Sequence, residues 1–181
     1  MEKNIDEILL DEQTLANRVR EMAERITADY QELDIDELVV IGILRGSVIF
    51  MSDLIRQLQL PVTIDFMATS SYSKGTRTSG TVRILKDIAE SITDKHVLII
   101  EDIIDSGLTL QCLTQLLEAR RPKSLKLCTL LDKPSRRLVE LEADYTGFQI
   151  PDKFVVGYGL DFSGHYRQLP YVGVLKPAAY E

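Results

Sequence analysis

The chain of 181 residues contains no apolar run approaching the roughly 20 residues that a membrane-spanning helix needs. Its acidic, amphipathic N-terminus also lacks the basic and apolar regions of a signal peptide. A cytoplasmic protein with no membrane partner is therefore expected. Cysteine is scarce: Cys112 and Cys128 fall in apolar segments without metal-ligand spacing, so buried free thiols are expected. There is no basic surplus, since 21 Lys and Arg against 28 Asp and Glu leave a net charge of −7. That balance disfavours nonspecific nucleic-acid binding, and an anionic ligand must be held by local amides and metal rather than by the overall field. Two nucleotide fingerprints are missing as well, Gly-x-x-x-x-Gly-Lys and Gly-x-Gly-x-x-Gly. With no repeat, no inter-domain linker and an ordinary globular composition, 45% hydrophobic and 27% charged, a single domain over residues 1–181 is expected.

What is present is organised around residues 97–110. Val97 to Ile100 form a continuous, β-branched-rich apolar run, as in a parallel strand covered on both faces. Glu101 and Asp102 are expected to close it. Side chains alternate across a strand, so two adjacent acids cannot both enter one core, and at least one faces the crevice beyond the strand end. Asp105-Ser106-Gly107 then precedes Leu108, Cys112, Leu113, Leu116 and Leu117 at helical spacing. A Gly-containing turn at a helix N-terminus offers unpaired N–H groups, with the Ser106 and Thr109 hydroxyls beside them, which suits a phosphate monoester. Asp105 or Ser106 alone would serve equally well as a plain helix N-cap.

Leu15, Val19, Met22 and Ile26 predict an amphipathic helix over 12–32. A buried strand over 38–44 ends in Leu44-Arg45-Gly46-Ser47, and a helix follows from Val48. Gly46 in that turn allows a backbone N–H to approach a ligand closely. A second strand runs from Pro61 to about Ala68. Residues 69–81 are almost wholly polar, which reads as a mobile loop, because polar loops of about 12 residues inside compact domains are usually lids or disordered. Strands are expected at 82–85, 125–131, 145–150 and 171–175, with a basic turn at Arg120 to Lys123. Phe154 to Asp161 is too Gly-rich for a central strand but suits close approach of a flat ligand. Alternating strands and helices with loaded turns predict an α/β protein with an open, mostly parallel sheet flanked by helices, binding its ligand along the strand C-termini.

The strand, the acid pair and Asp-Ser-Gly-x-Thr resemble the phosphoribosyl-diphosphate (PRPP) motif of the type I phosphoribosyltransferases. Leu44 to Ser47, Leu131-Asp132-Lys133-Pro134 and Pro151 to Asp161 extend the resemblance over nearly the whole chain, toward the bacterial branch acting on hypoxanthine and guanine. The resemblance implies the type I fold with a small purine-binding hood built from the termini, and a flexible loop at about 70–81 opened by Ser71 and Tyr72. It implies that Glu101, Asp102, Asp105, Ser106, Gly107, Leu108 and Thr109 bind PRPP, the first two facing the ribose, and that Asp105 is the catalytic acid or base near purine N7. Arg45, Gly46 and Arg167 would take pyrophosphate, with a cis peptide between Leu44 and Arg45. Lys133, Phe154 and Val155 would take the purine, and Glu101, Asp102 and Asp161 would place Mg²⁺. Its substrates would be PRPP with hypoxanthine or guanine, its products IMP or GMP and pyrophosphate, and its assembly a homodimer or homotetramer.

Substitution at an anomeric carbon passes through an oxocarbenium-like state, so a closed lid and a metal on the leaving group fit the expected chemistry. Two other readings share the fold. An RNA-binding attenuation regulator needs a basic face, for which only Arg120 to Lys123 and Arg136-Arg137 are available. An enzyme for another base leaves Lys133 and Phe154 unexplained.

Overall fold

The computed structural model describes residues 2–71 and 82–180. In chain order the regular elements are β1 (Ile5–Leu10), α1 (Glu12–Gln31), β2 (Leu38–Leu44), α2 (Val48–Ile55), β3 (Val62–Ser71), β4 (Val82–Lys86), β5 (His96–Ile104), α3 (Leu108–Glu118), β6 (Ser124–Asp132), β7 (Tyr145–Gln149), β8 (Val155–Val156) and β9 (Val172–Leu175). Six strands form one sheet in the order β4-β3-β2-β5-β6-β7, all parallel except the antiparallel edge strand β4. The predicted open α/β architecture is thus the one observed.

Both faces of the sheet are covered, which is why its central strands read as continuous apolar runs. Leu98 and Ile100 of β5 pack with Leu15, Val19 and Ile26 of α1 and with Phe50 and Leu54 of α2. Val97 and Ile99 pack on the other face with Leu110, Leu113 and Leu117 of α3. Helix α1 starts where Asp11 Oδ1 accepts the Thr14 N–H at 2.7 Å, an N-cap that satisfies one orphan donor of the first turn. The same helix guards an edge. Arg18 donates to the Gly147 carbonyl at 2.8 Å and to the Thr146 carbonyl at 2.9 Å, covering part of the open side of β7.

A second, three-stranded antiparallel sheet, β1-β9-β8, joins the two ends of the chain. Strand β1 was not anticipated, since its sequence is amphipathic and its burial comes only from pairing with β9. Val155, Val172 and Val174 of this sheet belong to the same apolar cluster as Leu98, so the two sheets share a core.

Two strand ends run past expectation. β5 continues past Ile100 through Ile104, so Glu101 and Asp102 lie inside the strand rather than ending it. β3 extends to Ser71, because Thr69, Ser70 and Ser71 find partners in Ile84, Arg83 and Val82 of β4. The expected loop at 70–81 therefore begins too early: Ser71 ends a strand, and Tyr72 with residues 73–81 lies outside the described residues. Cys128 is buried as expected, whereas Cys112 is only partly so. Among the described residues no helix is long and apolar enough to cross a membrane.

Packing at the β7 edge is tight. A Cβ on Gly147 would lie 2.4 Å from the Leu130 carbonyl oxygen of β6, and backbone on both sides cannot yield as a flexible side chain would. Gly147→Ala is expected to cost about 1–3 kcal/mol. Urea denaturation checks this, and an unchanged midpoint would mean that β7 is free to shift.

Candidate active site

The chain runs from β2 to one side of the sheet and from β5 to the other, so the C-termini of these neighbours mark the topological switch point, where open α/β sheets bind ligands. Two turns meet there. The first, after β2, carries a cis peptide between Leu44 and Arg45, and Ser47 anchors it by donating to the Ile43 carbonyl at 2.6 Å. Gly46 leaves no room for a side chain: a Cβ would sit 1.4 Å from Asp102 Oδ2. The second turn, after β5, brings Asp105, Ser106 and Gly107 to the start of α3. Gly107 has φ of 81°, a left-handed conformation that favours glycine, and it supplies no side-chain cap to the helix. With no acid in the first turn of α3 either, the partial positive charge of Leu108, Thr109 and their neighbours is open to an anion.

Beside the second turn lies a cavity of about 430 Å³ lined by Asp105, Lys133, Phe154, Val155, Leu160 and Tyr180, among others. Lys133 is only 7% exposed, and its Nζ stands 3.8 Å from Asp152 Oδ1. Its backbone N–H donates to the Ile104 carbonyl at 2.9 Å, which ties the end of β6 to the end of β5. Phe154 is exposed enough to offer a flat surface; Tyr180 stacks on it at 4.8 Å between centroids, and Phe162 meets it edge-on at 5.6 Å. A larger groove of about 830 Å³, lined by Asp132, Arg137, Glu140 and Glu142 among others, adjoins this region on the side of the Asp132–Arg137 pair.

The acid pair is held in an unusual state. Glu101 Oε2 is buried without a partner. Burial, followed by the neighbouring Asp102, pushes the Glu101 carboxyl well above its ordinary value. Burial also pushes Asp102 up to about 6, against its hydrogen bonds to backbone and the nearby Arg167. Asp161 accepts from Arg167 at 2.6 Å and from the Gly164 N–H at 2.7 Å. Arg167 in turn donates to the Gly159 carbonyl at 2.6 Å.

Several of the expected site residues lie against one another. Gly46 is pressed against Asp102, Arg167 lies near Asp102 and pairs with Asp161, and Asp105 lines one cavity with Lys133, Phe154 and Val155, while Arg45 follows the cis peptide after β2, Glu101 precedes Asp102 in β5, and Ser106 to Thr109 form the turn and the start of α3. The expected metal set is a partial exception. Among the described residues no three His, Cys, Asp or Glu side chains gather closely enough to hold an ion by themselves. The donors nevertheless suit a hard divalent cation. An unpartnered buried carboxylate oxygen beside a second carboxylate fits Mg²⁺, which binds through one or two carboxylates and completes its shell with substrate oxygens and water.

Three participants went unrecognised as such. Of Arg136 and Arg137, expected as an exposed basic cluster, Arg136 stays half exposed whereas Arg137 is largely buried. Arg136 donates to Asp105 Oδ1 at 2.9 Å and lies 3.6 Å from Asp152, while Arg137 pairs with Asp132. Tyr180, five residues past the last strand, gave no signal at all, since an aromatic near a terminus has no periodicity to mark it.

The family model for the phosphoribosyl transferase domain matches residues 6–163, and the chain belongs to that family. Within it, the chain is 52% identical to a hypoxanthine phosphoribosyltransferase of Haemophilus influenzae, covering 96% of this chain and 97% of that one. The crystal structure of a hypoxanthine phosphoribosyltransferase from Staphylococcus aureus is 50% identical and superimposes with a TM-score of 0.95, covering 100% of this chain and 97% of its own. A variant of the Trypanosoma cruzi hypoxanthine phosphoribosyltransferase, in a ternary substrates complex, gives 0.94 at 43% identity, over 99% and 100% of the two chains.

The raised carboxyls carry a pH signature. A carboxyl whose folded value exceeds its unfolded one stabilises the fold in acid and loses that contribution as pH rises through the folded value; for Asp102 the window runs from 3.8 to about 6. The ligand-free protein should lose stability across that interval. Glu101→Gln removes one of the two charges and should raise the melting temperature at pH 8 while leaving it little changed in acid. Thermal unfolding at both pH values checks this, and equal losses in variant and wild type would contradict it.

Proposed function

We propose that this chain transfers the phosphoribosyl group of PRPP to N9 of hypoxanthine or guanine, forming IMP or GMP and pyrophosphate, in purine salvage. The observation that carries the reading is the nearly buried side chain of Lys133, which lines one cavity with the exposed ring of Phe154 and with Asp105 of the turn that opens α3. A lysine so nearly excluded from water needs a partner that accepts hydrogen bonds, and Asp152 at 3.8 Å is too distant to be a direct one.

In this reading the amides and hydroxyls of Asp105 to Thr109 hold the 5′-phosphate. Arg45, Gly46 and Arg167 hold pyrophosphate, and Glu101 and Asp102 face the ribose hydroxyls. Phe154 stacks on the purine, Lys133 donates to its 6-oxo group, and the Val155 carbonyl accepts from a 2-amino group. As the bond from C1′ to pyrophosphate breaks, positive charge builds on the ribose and the purine nitrogen attacks the same carbon. Asp105, oriented by Arg136, takes up the proton that the purine loses. Glu101, Asp102 and Asp161 would hold Mg²⁺, which would supply charge to neutralise the departing pyrophosphate. An RNA-binding role has less support, because Arg120, Arg136 and Arg137 are each paired with an acid, Asp87, Asp105 and Asp132, which offsets their charge.

Nucleotide formation from PRPP and Mg²⁺ with each free base tests the reading directly. Hypoxanthine and guanine should be converted, and absence of both products would refute it. Adenine should be very poor, since an ammonium cannot accept from its 6-amino group and sites built on such a hydrogen bond reject the mismatched analogue by about 10⁴ to 10⁵. Lys133→Met should lower catalytic efficiency with 6-oxopurines and narrow the discrimination against adenine; unchanged kinetics with both bases would remove Lys133 from recognition. Asp105→Asn should lower turnover by about 10² to 10⁴ while PRPP affinity moves much less. Unchanged turnover would exclude Asp105 from proton transfer.

A further inference from the structure

We propose that Arg137 is a positioning residue that aims the phosphate-binding turn, acting on ligand through the backbone of residues 105–107. The inference rests on the reading that this turn holds the 5′-phosphate. Arg137 follows the short helical turn Pro134–Arg136 at the end of β6. Its Nη1 donates to the Asp105 carbonyl at 2.7 Å, and its Nη2 pairs with Asp132 Oδ1, with both side chains largely buried. The next residue continues the contact, the Leu138 N–H donating to the Ser106 carbonyl at 3.0 Å. Gly107 completes it, since a Cβ there would lie 3.1 Å from Arg137 Cδ and 3.0 Å from Val139 Cγ2. Residues 137–139 thus lie flat against three consecutive residues of the turn.

The effect on the turn follows from peptide planarity. In a trans peptide the carbonyl of one residue and the N–H of the next point in opposite directions within one rigid plane. Holding the Asp105 carbonyl toward Arg137 therefore fixes the Ser106 N–H away from it, and holding the Ser106 carbonyl toward Leu138 does the same for the Gly107 N–H. Two amide donors are aimed by groups that never touch the ligand. The guanidinium charge is itself balanced by Asp132, so Arg137 acts by orienting these donors rather than by attracting the phosphate. A planar fork suits the task, because it reaches a carboxylate and a carbonyl at once, which an ammonium does less well.

The test is binding of a nucleotide against its nucleoside, IMP against inosine, to wild type and to the double variant Asp132→Asn/Arg137→Met, which removes the pair without stranding a buried charge. IMP affinity should weaken about tenfold or more, with the KM for PRPP rising in parallel, as expected when charge-assisted phosphate contacts are misaligned. Inosine affinity and kcat should stay within about threefold. A wild-type preference for IMP in the double variant, or an equal loss for IMP and inosine, would overturn the proposal and leave Arg137 a purely structural part of the fold. If thermal unfolding shows the double variant not to be folded, Arg137→Lys decides by the same criteria, with a smaller loss of IMP affinity expected. Wild-type turnover of PRPP with hypoxanthine is measured separately, so failure of the enzymatic reading is told apart from failure of this one.

Discussion

The site depends on where two parallel strands stop pairing. β2 and β5 are in register from Leu38 opposite His96 to Gly42 opposite Ile100, and there the ladder ends. β2 keeps its pairing with β3 to Leu44 and Ala68, and β5 keeps its pairing with β6 to Ile104 and Asp132. The central strands are therefore held from outside and part in the middle, which opens the crevice that open α/β sheets use for ligands. Glu101 and Asp102 sit at this fork, one step past the last shared pair. They lie deep enough to be desolvated and have lost one neighbouring strand, which is why a carboxylate oxygen can be left buried and unpartnered.

The chain is acidic overall, and the bases around its site are each set against an acid. Asp105, Arg136, Asp152 and Lys133 form a chain of alternating sign around the cavity, with Asp132 and Arg137 as a second pair behind it. Such pairs contribute little to stability when exposed. Their use here is orientation, since Arg136 fixes the Asp105 carboxylate and Arg137 fixes the Asp105 carbonyl away from the crevice. The same arrangement leaves few arginines to present a basic face.

Close backbone contact brings the smaller sheet into register with the larger one. Gly159 has φ of 103°, and a Cβ on it would lie 2.1 Å from the Gly46 carbonyl, while Gly46 is itself pressed against Asp102. The stack Gly159, Gly46, Asp102 couples the segment after β8 to the turn after β2 and to the acid pair. The Tyr158 hydroxyl donates to Asp53 of α2 at 2.7 Å, and Lys153 pairs with Glu7 of β1, which ties the segment to α2 and to the smaller sheet. Only glycine permits that approach at position 159, where backbone meets backbone at a positive φ.

Residue pattern alone carried the open parallel sheet, the helices flanking it and the two loaded turns at the strand ends, because burial on both faces leaves a period that local sequence cannot hide. Arg45 to Ser47, Glu101, Asp102 and Asp105 to Thr109 were legible for the same reason, each lying at a break in such a period. The tertiary structure decided what depends on a distant partner. β1 is a strand because β9 lies beside it, residues 69–71 are strand because β4 returns to them, and β5 runs past its acids because β6 continues to pair with it. Arg137 reads as surface charge until Asp132, five residues before it, is seen to receive it, and the exposed Arg136 gains its partner Asp105 from 31 residues away. Tyr180 gained a role only when the C-terminus folded back onto Phe154. A periodic pattern records which face a residue buries, whereas a charge or an aromatic ring acquires its partner only through the path of the whole chain.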